Sequence, residues 1–371
     1  MNEKRRFSRP QRLLGFVTVV VAAVGVAVSG AVGKGGAAAG PAKVGGDGPL
    51  VSFLLPENVT ARWEGQDKPF FIQAMKRLYP TARVEVQNAL NDPSKQQAQA
   101  EAALARGAKV LVVTAIDQNG AAVIVNAAKR QNVPVIAYDR LIQKAPVSYY
   151  VSVDGIRIGE LQGRWLVRNT KQGDRLVVIS GSPTDDNARL FAQGYFSVLN
   201  PLFKSGARKN VGSTFTPGWE PSRAQQEMEQ FLTKNNDRVD GVLSANDGMA
   251  SGIVASLQAR GLAGKVPVTG LDGVASALNL ILQRKQSMTV WRSLKEQSSK
   301  AAQITAAILR GKQPARSLFG GKTKFNGQVK IPWAPVTPIV ITERNMQLEI
   351  ADGAVTKNQI CKGIPRGRGP C

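Results

Sequence analysis

Histidine is absent from all 371 residues. That removes His-based triads, imidazole general bases and histidine metal centres together. Cysteine is nearly absent: Cys361 and Cys371 both stand in the last eleven residues, so the body of the chain holds no thiol nucleophile and no cluster of zinc-binding spacing. Glycine-rich phosphate loops are missing too. "LFGGKT" ends like one, but the glycine required five residues before Gly321 is Arg316, and the first strand-to-helix turn has no G-x-G-x-x-G. Acidic residues are scarce, 26 against 49 basic, for a net charge of +23. Such an excess suits nucleic acid or an anionic surface. The basic residues are scattered, however, and cluster only in the tail "KGIPRGRGPC", so no nucleic-acid partner is expected and the charge reads as solvated surface facing an anionic envelope. No cofactor or metal is expected, and the chain is expected to act as a monomer.

Long apolar runs are absent except for one. Lys4, Arg5, Arg6, Arg9 and Arg12 precede the 20-residue stretch "LLGFVTVVVAAVGVAVSGAV", followed by a Gly/Ala-rich spacer. A basic start, an apolar run and a small-residue exit read as an export signal, which with the spacer takes up residues 1–48. The run is also long enough to span a bilayer, so a retained anchor stays open. No cysteine lies at its end, which argues against a lipoprotein. The expected location is the periplasm or the outer face of the cytoplasmic membrane. In an exported chain a local disulfide between Cys361 and Cys371 is the natural reading; free thiols and an intermolecular bridge stay open.

From Leu50 onward, short apolar runs alternate with longer amphipathic ones, the βα rhythm of a parallel sheet. "LVSFLLP", "RVEVQNA", "VLVVTA", "VPVIAYD" and "YYVSVD" read as one set of strands, and "RLVVISG", "VGSTFT", "DGVLSAND", "VPVTGLD" and "SMTVWRS" as a second. A helix is expected over 93–106, with Asp92 as N-cap, Pro93 in its first turn and Gly107 as its stop. Another is expected over 294–309, then a Gly/Pro-bearing loop to about Pro335 and a final strand "TPIVITERN". Two sets of strands imply two α/β lobes: 49–154 with 293–334, and 155–292 with 335–360, followed by the tail 361–371.

The strand ends carry the functional signal. Asp139 and Arg140 follow "VIAY", a run that reads as buried on both faces, where an unpaired charge is costly. Asp185, Asp186 and Asn187 follow "VISGSPT", Asn246 and Asp247 follow "VLSA", Asp272 follows "VTGL", and Arg292 follows "VW". Ligands of open α/β sheets bind at the carboxyl ends of strands. Facing lobes would line a cleft with carboxylates, amides and guanidinium groups, joined by Trp63 and Trp219. Planar forks and carboxylates bond adjacent hydroxyls, and an aromatic face covers the C–H side of a sugar ring. Each polar residue alone is explained as well by a helix cap or a loop; Asp185 and Asp186 read as capping or hinge-facing residues rather than ligand contacts.

The ordered set "ARW", "AYDR", "SPTDDNA" with its following "LF", "GWEP", "SAND", "TGLD" and "MTVWR" resembles the bacterial periplasmic pentose-binding proteins of ABC importers, over about residues 50–354. The resemblance implies a type I periplasmic-binding-protein fold: two Rossmann-like lobes joined by three crossings, with one sugar at the hinge. The implied sugar is an aldopentose, D-xylose foremost, and the implied partner is an ABC permease in the cytoplasmic membrane. By motif, the sugar contacts are Arg62, Trp63, Asp139, Arg140, Asn187, Trp219, Asn246, Asp272 and Arg292. Two departures stand out: no acidic pair follows the first strand, and Arg292 replaces the expected lysine. The alternatives are a binder of another aldopentose or a hexose serving chemosensing, and a glycoside hydrolase using two of Asp139, Asp247 and Asp272. A sugar-responsive repressor of the same fold would need a helix-turn-helix where the export signal stands.

Overall fold

The computed structural model describes residues 46–371 and the strand β1, Ala42–Val44; the expected export signal lies outside the described residues. The apolar runs become strands and the amphipathic ones helices. In order these are β2 (Leu50–Leu55), α1 (Lys68–Leu78), β3 (Arg83–Asn88), α2 (Pro93–Ala105), β4 (Val110–Val113), α3 (Ala122–Arg130), β5 (Val135–Tyr138) and β6 (Tyr149–Val153). They build one sheet of order β1-β3-β2-β4-β5-β6, parallel except for β1. Its central strands are wholly buried, as continuous apolar runs require when helices cover both faces. The Asp92 cap forms as expected, with its carboxylate accepting from the Ser94 and Lys95 amides.

The second lobe follows with α4 (Gly155–Arg168), β7 (Arg175–Ser180), α5 (Asp186–Lys204), β8 (Lys209–Phe215), α6 (Pro221–Lys234), β9 (Gly241–Ser244), α7 (Asp247–Ala259), α8 (Ala275–Leu282) and β10 (Thr289–Trp291). β8, β7 and β9 form a parallel sheet. The run 266–271, expected as a full strand, makes only isolated bridges, to β9 through Val268 and to β10 through Leu271. Backbone hydrogen bonds to Val242, Ser287 and Val290 are interrupted by side-chain ones. The Thr269 hydroxyl takes the Ser244 amide at 3.0 Å and donates to the Ser244 carbonyl at 2.9 Å, and Gln162 donates to the Gly270 carbonyl at 3.1 Å.

The chain then returns. α9 (Leu294–Leu309) packs on α1 and on β4 and β6 of the first sheet. Residues 310–335, expected as loop, contain two further strands, β11 (Thr323–Phe325) and β12 (Lys330–Val336), which extend the first sheet through parallel pairing of β12 with β6. Pro332 and Pro335 hid β12, because proline lacks the amide a ladder needs. β13 (Ile339–Ile341) crosses back to pair with β10, and α10 (Gln347–Asp352) and α11 (Lys357–Ile360) finish the second lobe. Three connections therefore pass between the sheets, after β6, β10 and β12. Cys361 and Cys371 are disulfide-bonded, and the loop they close packs against Leu278, Ile281, Leu282 and Trp291. Among the described residues no helix is long and apolar enough to cross a membrane.

Candidate functional site

Both sheets aim their strand ends at the junction. Asp139, just past β5, holds φ at +65° and turns a buried carboxylate into it. That carboxylate accepts from Arg62 Nη1 (3.0 Å), Arg292 Nη2 (2.7 Å), Gln297 Nε2 (3.0 Å) and Asn187 Nδ2 (2.9 Å). Arg140 does not pair with its neighbour. Its Nε reaches Asp185 Oδ2 at 2.7 Å, across the lobes, and Nη2 stands 3.6 Å from Glu57. The adjacent acid and base thus anchor two different ion networks. Bidentate pairing fixes Arg62: Nε and Nη2 each lie 2.7 Å from the two oxygens of Asp67. Asp272 lies 3.6 Å from Arg62 and 3.4 Å from Arg292.

Aromatic groups complete the walls. Trp63 opens a π-type turn, Trp63–Asp67, ahead of α1. The Arg62 guanidinium stacks 4.1 Å from its ring centroid, and its indole N–H donates to Glu57. Trp219 sits in the turn Pro217–Trp219 and donates to Asp185 at 3.1 Å. Its ring lies on Gly181, where a Cβ would stand 2.0 Å from the indole, so only glycine leaves room for it. Asn246 caps α7, its side-chain oxygen accepting from the Met249 amide at 2.9 Å. Its side-chain nitrogen makes no hydrogen bond among the described residues. Asp272 is no cap, since α8 begins three residues later.

All nine residues expected as contacts line one cavity, together with Thr60, Asp185, Phe191 and Leu271. Asp185 is both the cap of α5, accepting from the Asn187 amide, and part of this lining; sequence reasoning expected a capping or hinge-facing role and no ligand contact. Asp186 faces the other lobe, accepting from Gln143 at 2.9 Å. Glu57, Asp67 and Gln297 were not foreseen. Burial pushes the Asp185 carboxyl up to about 6 against the opposing charge of Arg140, and raises Asp272 well above the carboxylate range against the charge of Arg62. Among the described residues no cluster of His, Cys, Asp or Glu is arranged to hold a metal.

A cavity between two Rossmann-like lobes joined by three crossings defines a hinged binding protein. The chain belongs to the periplasmic binding protein family: the model described as periplasmic binding protein domain matches residues 51–313, and the protein is a binder, not an enzyme. It is 35% identical over 286 residues to the D-xylose-binding periplasmic protein of Escherichia coli, covering 77% of this chain and 84% of that one. The protein of the same name from Haemophilus influenzae is 36% identical over 302 residues, covering 81% and 88%. Among solved structures, an ABC transporter solute-binding protein of Clostridium phytofermentans with bound β-D-glucose superposes with a TM-score of 0.77 at 28% identity, covering 84% of this chain and 99% of that one.

Proposed function

We propose that the protein binds one monosaccharide in the cavity between its lobes and presents it, outside the cytoplasmic membrane, to an ABC permease. The observation that carries this is the lining: three arginines, three carboxylates, two amides and two tryptophans around one small space. Forked donors and acceptors match vicinal hydroxyls, and indole faces match the C–H side of a ring. D-xylose is the ligand we assign, on relatives named for that sugar. The sugar bridges both lobes and favours the closed form by its differential contacts. The protein acts as a monomer.

A second reading is an aldohexose, favoured by the glucose in the Clostridium structure. Calorimetry with xylose, arabinose, ribose and glucose decides. Tightest binding of xylose is expected; glucose binding more tightly than every pentose establishes the second reading, and no binding of any of the four overturns both.

A further inference from the structure

The turn that offers Asp272 to the cavity is bent unfavourably. Asp272 holds φ at +110° and Gly273 at +70°. A non-glycine residue rarely adopts such a conformation, and does so where its surroundings impose it. Two buried carboxyl groups outside the cavity lining close on this turn from behind. Asp247, the first residue of α7, accepts the Gly273 amide at 2.8 Å, the Val274 amide at 3.2 Å and the Thr289 hydroxyl at 3.0 Å through one oxygen. Its other oxygen takes Gln286 Nε2 at 2.9 Å. Glu349 of α10 is fully buried, and neither of its oxygens has a hydrogen-bond partner among the described residues. Its carboxyl rests on Gly273, where a Cβ would lie 2.2 Å from Oε2.

We propose that Asp247 and Glu349 are positioning residues that set how the protein discriminates among sugars without touching them. Asp247 pins the amides of Gly273 and Val274, and Glu349 fills the space into which the turn would otherwise relax. Together they hold the Asp272 carboxylate between Arg62 and Arg292. A buried acceptor fixed this firmly rejects an isomer whose hydroxyl is misplaced, because the mismatch leaves a polar group unpaired. The discrimination rests on the sugar reading of the cavity; the hold on the turn does not.

The test combines amide hydrogen exchange of the unliganded protein with calorimetry on xylose, arabinose and ribose. Asp247→Ala is expected to speed exchange at Gly273 and Val274 at least tenfold and to narrow the affinity ratio between xylose and the other two. Asp247→Asn should restore both. It keeps an acceptor oxygen, and Gln286, whose Oε1 is unpartnered, can turn over to receive the new N–H. If Asp247→Ala is not recovered folded, Asp247→Ser, too short to reach both amides, carries the same expectation. Glu349→Ala should narrow the ratio as well. A merely structural role lowers the thermal midpoint while leaving the ratio and the exchange at these two amides as in wild type, and that result overturns the proposal. If wild type binds none of the sugars, the reading of the cavity fails, and exchange at Gly273 and Val274 still decides whether Asp247 holds the turn.

Discussion

Asp139 gathers four donors from both lobes, so on the proposed reading a ligand hydroxyl would compete with these bonds or join them. Asp139→Ala leaves Arg62 its pairing with Asp67 and Arg292 its contact with Asp272, which keeps the arginines buried but free to re-aim. The expected outcome is a loss of sugar affinity of at least tenfold, about 1.4 kcal/mol, by calorimetry, with the unliganded protein still folded. Arg292 stands where the resemblance implied lysine. Its fork spans Asp139 at 2.7 Å, Asp272 at 3.4 Å and Gln297 at 3.2 Å, a geometry that a single ammonium cannot reproduce. Arg292→Lys should therefore reorder affinities among xylose, arabinose and ribose more than it lowers the thermal midpoint; parallel losses for all three would assign Arg292 to general positioning. The strand-end residues were legible because a charge directly after a buried apolar run needs a partner. Glu57, Asp67 and Gln297 were not, because they meet the site only through folding: Gln297 reaches Asp139 from α9, 158 residues away in sequence.

Among the elements, the strands with unbroken apolar runs appeared where hydrophobicity placed them, and the helix after Asp92 began where its cap and proline stood. β12 escaped notice because its two prolines mimic a loop, and 266–271 was over-read because side-chain hydrogen bonds interrupt its ladder, which periodicity alone cannot show. The carboxyl-terminal loop is a third kind of element, built by a covalent bond. The Cys361–Cys371 bridge holds residues 361–371 on α8, where Asn279 donates to the carbonyls of Ile360 and Lys362 at 2.7 and 2.9 Å. Closing a loop of this length is worth about 2–3 kcal/mol. Cys371→Ser should lower the thermal midpoint by a few degrees. Sugar affinity should stay within about twofold of wild type, since Arg292 is held from the cavity side; a large affinity loss would mean that the tail shapes the site through Trp291.

For the whole molecule, buried acids tie stability to pH. The Asp247 carboxyl is pushed up to about 7 by burial, against its hydrogen bonds with Gln286 and Thr289, and Asp185 to about 6, both from an ordinary value of 3.8. The folded protein keeps protons that the unfolded chain gives up above about pH 4, so their contribution is full below that value, falls as pH rises toward 6 and 7, and is flat beyond. Thermal midpoints should drop between pH 5 and pH 8, and drop less in Asp247→Asn, which has no proton to lose; equal slopes would remove Asp247 from the account. In the cavity Arg62, Arg140 and Arg292 each already face a buried carboxyl, from Asp139, Asp185 or Asp272, with Asp67 and Glu57 behind them. A neutral guest can join these pairs, whereas a sugar phosphate or a uronic acid must compete with a buried carboxyl for each guanidinium and lose its own hydration in doing so. On the proposed reading of the cavity, uncharged sugars are the expected guests, even though the net charge of +23 draws anions toward the protein. Xylose affinity should be nearly the same at low and high salt, because the pairs that meet the sugar are shielded from the ions that screen the exterior, and xylonate should not compete.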